Sequence, residues 1–411
     1  MTPPKGAQAL AAGMPAAITS RGELSAERLF LLAGLAALGA LATNIILPAF
    51  PEMALALHAS TQDLSATLSS FFVAFALGQL FVGPLSDRFG RKWLVLGGLL
   101  TFALGSAICF LAASLPQLIL GRIVQALGVC ATSVLARAIA RDLFDGEQLA
   151  RVLSRIMVAM AAAPGFSPLL GQAFNSALGW RATFGFVGVL ALVLAVHYSL
   201  RLGETHRGAR AALSLRAVLA AYGQLLRDRR FIAPALAVSL VIGALYAFFS
   251  MAPAILMTGF GLSALAMGVF FAATVLVVFA GGWLAPRLAR RWGAARVVRA
   301  GIGIALAGSL ALLVGPQAFF FFSVALSVFL LGMGILNPLA TAIALQPFGL
   351  QAGAASALLG FLQMGCAAAA ITLGSAGGLT AYSAMGSILS ASLAASLLVF
   401  RATRASAPAA A

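Results

Sequence analysis

Twelve continuous apolar runs, a cationic bias confined to alternate loops and a polar break at mid-chain predict one fold class. It is an all-α integral membrane protein of twelve transmembrane helices, arranged as two six-helix repeats with both termini cytoplasmic. The chain of 411 residues is 62% hydrophobic and 9% charged, so the bilayer is its solvent. The runs do not alternate apolar with polar residues, which favours helices over barrel strands.

Taken in order, residues 1–28 carry Pro, Gly and scattered charge without a cleavable signal pattern, and read as a disordered cytoplasmic tail. The first half, 29–200, holds spans at roughly 29–50, 64–84, 94–113, 116–137, 153–174 and 180–200. Residues 201–230 form a cytoplasmic central loop with seven cations beside Glu204 and Asp228. Within it, Arg216–Leu226 is amphipathic and suited to the membrane surface. The second half, 231–400, holds spans at roughly 231–252, 265–285, 296–315, 317–340, 352–374 and 378–400, followed by a cytoplasmic tail at 401–411.

Basic residues set the orientation. With the N-terminus inside, 24 of the 26 Lys and Arg residues fall in cytoplasmic segments, leaving Arg181 outside and Arg122 deep in the fourth span. The net charge of +16 is this same bias. No basic stripe with interleaved aromatics occurs, so nucleic acid is not an expected partner and anionic lipid is. Cys109, Cys130 and Cys366 all lie in spans and read as small buried hydrophobes. His58, His197 and His206 are too dispersed to hold a metal, and neither a nucleophile–base pair nor a nucleotide-binding domain is visible. Enzyme and ATP-driven pump are therefore set aside, and no cofactor is expected.

The stretch Gly83-Pro-Leu-Ser-Asp-Arg-Phe-Gly-Arg-Lys92 reads as a short polar gap between two spans. It sets Asp87 among Arg88, Arg91 and Lys92, with Gly83 and Gly90 allowing close approach of helix ends. Such a group can latch two helices and release them. Gly282 to Trp292 echoes it: Gly, Leu, Arg, Arg and Trp recur at an offset of 199 residues (282 − 83), with Pro286 and Ala289 in place of Asp87 and Gly90. The echo points to a duplicated half carrying the acidic latch only once.

The 83–92 stretch resembles the signature loop between helices two and three of the major facilitator superfamily, whose architecture is two parallel repeats. Leu47-Pro-Ala-Phe-Pro-Glu52, Phe75-Ala-Leu-Gly-Gln79, Ala136 to Asp142, Leu178-Gly-Trp-Arg181 and Ala355 to Gln363 resemble its Bcr/CflA branch of drug–proton antiporters. The resemblance implies a monomeric exporter of small antimicrobials, driven by the proton gradient across a bacterial inner membrane. A metabolite or sugar transporter of the same fold is the alternative. It also implies that Arg122, in Gly121 to Gly128, serves proton coupling. An Arg at that depth is costly and normally faces a cavity or a partner, the structural alternative being bonds to backbone carbonyls. In the fifth span, Ala163-Pro-Gly-Phe-Ser-Pro-Leu-Leu-Gly171 has the Gly–Pro character of the family's antiporter motif.

One position departs from the family. Asn44 stands where a first-span aspartate is usual, and an amide cannot take up a proton. All ten acidic residues lie at or before Asp228, so the titrating group is expected to be Glu52 or Asp142. The expected gating set is Gly83, Asp87, Arg88, Gly90, Arg91, Arg137, Asp142, Pro164, Gly165, Pro168 and Gly171. Substrate and coupling contacts are expected from Asn44, Glu52, Phe75, Gln79, Arg122, Gln125, Tyr246, Asn337 and Gln363. Phe71, Phe72, Phe75, Tyr246, Phe248, Phe249 and Met251 should make an apolar wall for an amphiphilic compound of low charge.

Overall fold

The computed structural model describes residues 25–60, 62–205, 215–376 and 378–402. Both expected tails lie largely outside these residues, as do His206 and most of the first part of the central loop. Every regular element described is helical. The first span is broken: α1 (Ala26–Asn44) gives way to a 3₁₀ turn at Leu47–Ala49 and then to α2 (Phe50–Ala56). The first half continues as α3 (Ser65–Phe89), α4 (Arg91–Phe110), α5 (Leu115–Leu143), α6 (Gly146–Leu178) and α7 (Arg181–Arg201). A surface helix α8 (Leu215–Arg227) precedes α9 (Arg229–Ala252), α10 (Ala264–Trp292), α11 (Ala294–Val314), α12 (Phe319–Leu345), α13 (Ala352–Ala376) and α14 (Ala381–Ala402). Twelve of the described helices are long and apolar enough to cross a membrane. An even number of crossings leaves both described ends on one face.

Helices form here because hydrocarbon offers the backbone no other hydrogen-bond partner. For the same reason Pro84, Pro164, Pro168, Pro234, Pro286 and Pro338 all sit inside continuous helices. Side-chain caps start α1, α9 and α10, from Ser25, Asp228 and Ser263.

The signature stretch is helix, not a polar gap. α3 runs through Phe89, and only Gly90, at φ 92°, separates it from α4. A positive φ of this kind favours glycine. Gly83 plays no close-approach role, since a Cβ built there meets nothing within 4 Å, whereas one at Gly90 would collide with the Glu204 carboxylate.

The repeat is present, but its register differs from the sequence echo by about one helical turn. Gly293, at φ 82°, separates α10 from α11 as Gly90 separates α3 from α4, so the offset is 203 residues (293 − 90). The packing glycines follow that register. A Cβ at Gly98 would stand 2.7 Å from Gly128 O, and one at Gly301 would stand 3.0 Å from Gly332 O. One at Gly105 would stand 2.8 Å from Gly121 O, and one at Gly308 2.6 Å from Ala325 O. Backbone-to-backbone contact of this kind welds α4 to α5 and α11 to α12, small residues supplying the dispersion contact that drives association in lipid. In this register Arg290, not Pro286, occupies the position of Asp87.

The halves meet along α3 with α13 and α6 with α10. The end of the bundle carrying Gly90 and Gly293 is termed the basic end below.

Candidate functional site

At the basic end, Arg91 is a hub. Its Nη1 donates to Asp87 Oδ1 at 2.7 Å and to the Ser86 hydroxyl, while Nε donates to Asp142 Oδ2 at 3.2 Å. Thr205 Oγ1 donates to the same Asp142 oxygen at 3.2 Å. Glu204, just past α7, accepts from the Arg91 N–H at 2.9 Å and the Lys92 N–H at 3.3 Å. A carboxylate there satisfies the orphan donors of α4 and complements its dipole. The Arg91 guanidinium thus ties α4 to α3 and α5, while Glu204 and Thr205 join the segment after α7 to the same cluster, all within the first half. Arg88 stays outside the cluster, exposed over the Phe89 ring at 5.3 Å. Arg137 also stays outside, its Nη1 lying 3.9 Å from Met160 Sδ on α6. Asp142 is therefore paired with Arg91, not with its sequence neighbours Arg137 and Arg141.

Within the helix bundle, two turns into α5, Arg122 is fully buried. Nη1 donates to Ala42 O at 3.1 Å, a last-turn carbonyl of α1, and to Gln125 Oε1 at 2.8 Å. Gln125 in turn donates to Ser106 Oγ at 2.7 Å. The guanidinium carbon lies 4.4 Å from the centre of the Phe71 ring. Its Nε and Nη2 find no hydrogen-bond partner among the described residues. Asn44, also buried, donates to Ala40 O at 2.8 Å and to Thr43 Oγ1 at 3.1 Å, so it is tied to its own helix end and not to Arg122.

From Arg122 an aromatic wall runs across the divide between the halves. Phe71 stacks on Phe75 at 6.0 Å and meets Phe72 edge-on at 5.8 Å. Phe72 touches Tyr246 of the second half at 4.4 Å, and Tyr246 meets Phe249 at 5.9 Å. Gln79 is buried against Gly360 of α13, where a Cβ would overlap its side chain. Asn337 and Gln363 are half-buried on α12 and α13.

The Gly–Pro stretch of α6 supplies crossings. Ser167 Oγ donates to Ala163 O at 2.6 Å beside the two prolines, Pro164 and Pro168. Gly165 abuts Val275 and Phe271 O of α10, and Gly171 abuts Ile45 O where α1 breaks. At the far end from the basic cluster the halves are clasped. Ser250 Oγ donates to Ser65 Oγ at 3.0 Å, and Gln62 Nε2 donates to Ser375 O at 2.6 Å. A cavity of about 100 Å³ lies there, lined by Gln62, Ser65, Ser250, Met251 and Ser375. Glu52 is exposed at this far end, on α2.

Expected residues thus meet in two centres that share no contact, Asp87, Arg91 and Asp142 in one, Arg122, Gln125 and Phe75 in the other. Glu204, Thr205, Ser86 and Ser106 escaped the sequence reading. Glu204 had one legible signal: a carboxylate directly after the sixth span, in a chain with so few.

Among the described residues, twelve helices long and apolar enough to cross a membrane, arranged in two equivalent halves clasped at one end, define a multi-pass membrane protein. The Major Facilitator Superfamily profile matches residues 32–374, and the chain belongs to that family. It is 32% identical to the chloramphenicol resistance protein of Pseudomonas aeruginosa over 80% of this chain and 77% of that one. It is 29% identical to multidrug resistance protein D of Escherichia coli K12 over 82% and 85%. Among solved structures, a bacterial homologue of the human lysosomal transporter Spinster, inward-facing and unoccupied, superposes with a TM-score of 0.69 at 17% identity, covering 93% of this chain and 96% of that one. The protein is accordingly a multi-pass transporter of the bacterial inner membrane.

Proposed function

We propose that the protein is a proton-driven exporter of small amphiphilic antimicrobials of low charge, working as a monomer by alternating access and carrying out no covalent chemistry. The observation that carries this reading is the continuous Phe75–Phe71–Phe72–Tyr246 wall between the halves, backed by a buried cation and, among the described residues, by no buried carboxylate. Apolar faces hold an amphiphile, and a fixed positive charge behind them disfavours cationic compounds. The names of the two resistance relatives agree with this substrate class.

The charge bias makes the basic end cytoplasmic. The structure then represents the state closed to the outside, with the clasp of Gln62, Ser65, Ser250 and Ser375 as the outer gate. Glu52 and Asp142 are the proposed titrating groups, since Asn44 cannot serve. The test is efflux from vesicles under an imposed proton gradient, using chloramphenicol and bicyclomycin as probes with glucose as a control. Gradient-dependent movement of an antimicrobial is expected; accumulation of glucose alone would favour the metabolite alternative. Replacing Glu52 and Asp142 singly by their amides should abolish coupling for one, and unchanged transport in both would reject this proton assignment.

A further inference from the structure

Pro84 lies inside α3, five residues before its last residue Phe89, and has no N–H. The carbonyl four residues earlier, that of Leu80, therefore lacks its helical donor. Tyr222 of α8 supplies one: its hydroxyl donates to Leu80 O at 2.8 Å. The ring of Tyr222 is buried, and burial pushes its hydroxyl above the usual phenol range, which keeps it a protonated donor. Helix α8 itself packs against α9 and α13, both of the second half. A carbonyl freed by proline in the first half is thus satisfied by a helix that rides on the second.

We propose that the Tyr222–Leu80 bond is a tether between the halves, made in the state clasped at the far end and broken when the clasp opens and one half rotates against the other. The reasoning is geometric. Leu80 moves with α3 and Tyr222 with α9 and α13, so rotation of one half against the other displaces the hydroxyl from the carbonyl, and a hydrogen bond does not survive much beyond 3.5 Å or steep misalignment. The proposal rests on the alternating-access reading only for its second clause. Tyr222 is a positioning residue: it touches no substrate, and it makes the central segment part of the switch instead of a passive connection.

The test is a double-mutant cycle on the full chain in detergent, with Tyr222→Phe, Pro84→Ala and the double variant. Each is read by thermal unfolding and by disulfide formation in a Gln62→Cys/Ser375→Cys background, which reports the clasped state without substrate. Tyr222→Phe should lower the midpoint and cut clasped-state cross-linking by about two- to tenfold, the range of one hydrogen bond's net value. With Pro84→Ala the helix regains its own donor, so the same substitution should then change neither readout. Should Pro84→Ala fail to fold, Pro84→Ser restores the same N–H. Equal effects of Tyr222→Phe in both backgrounds would overturn the bond's role. A midpoint change without a cross-linking change would overturn its dependence on state. Both readouts stand apart from transport, so an absence of antimicrobial efflux would count against the proposed function and leave the tether intact.

Discussion

Replacing Asp142 by Asn tests whether Arg91 or Asp87 is the centre of the basic-end cluster. The sequence alone favours Asp87, as the lone carboxylate among three cations, and makes Asp87→Asn the damaging change. The structure reverses the energetic order. The Arg91 and Asp142 side chains are 11% and 21% exposed, whereas Asp87 is 48% exposed and pairs with Arg91 only one turn away. A sheltered charge-assisted bond contributes about 1.5–3 kcal/mol, and a half-exposed pair of helix neighbours under ~1 kcal/mol. Asp142→Asn also deprives Thr205 of a charged acceptor and loosens the segment holding Glu204. Thermal unfolding of the purified full chain should therefore show a larger drop in midpoint for Asp142→Asn than for Asp87→Asn. High salt should erase most of the Asp87 effect and little of the Asp142 effect. A midpoint loss for Asp87→Asn equal to or above that of Asp142→Asn would refute the reasoning. Asp87→Asn is still expected to slow transport strongly, because a pair that must break in the cycle can matter for rate while adding little stability. Changing Pro286 should matter far less, and so should changing Arg290, its counterpart by structure.

Three further outcomes follow from the geometry. Gly98→Ala and Gly301→Ala push a methyl group into a neighbouring backbone and should each cost about 1–3 kcal/mol, whereas Gly97→Ala, open on all sides, should be neutral or stabilising by up to ~1 kcal/mol; thermal midpoints of the three variants decide it. Phe72→Ala removes the ring that meets Tyr246 across the halves and should weaken binding of an aromatic probe about three- to tenfold, measured as the concentration for half-maximal efflux. Hydrogen bonds from Ser60 to Asp63 hold that carboxyl below its ordinary value. Its folded value being the lower one, Asp63 gives up its charge only as pH falls well into the acid range, so Asp63→Asn should leave the pH profile of transport unchanged through neutral pH.

Much of the architecture was legible because hydrocarbon imposes one rule on every span, and the rule leaves its mark in composition. Apolar length marked the twelve helices, and the amphipathic pattern at Arg216–Leu226 marked α8. The glycines and prolines of α6 announced close crossings, although only the structure shows Gly165 against α10 and Gly171 against the break in α1. The aromatic cluster was expected on helices two and seven, and it is there. Two readings failed for a shared reason. The polarity of the signature stretch suggests a gap, but its charges sit on helix ends, where Asp87 pairs with Arg91 and Glu204 caps α4, so the break is confined to Gly90. The repeat register slipped by about a turn because matching Arg and Trp residues mark the helix surface, while the positive-φ glycines mark the actual turn.

Composition and charge periodicity by themselves determined that this chain spans a membrane twelve times in two related halves, because burial in lipid is a property of each segment taken alone. They also singled out Arg122, since a lone cation among apolar residues is conspicuous wherever it packs. Partnership was decided only by the tertiary structure. That Asp142 serves Arg91, that Glu204 caps α4, that Asn44 turns to its own helix end and that Tyr222 answers the carbonyl freed by Pro84 all depend on atoms brought together from distant parts of the chain. Hydrogen bonds act over about 3 Å, and no periodicity in a sequence encodes which distant donor comes that close.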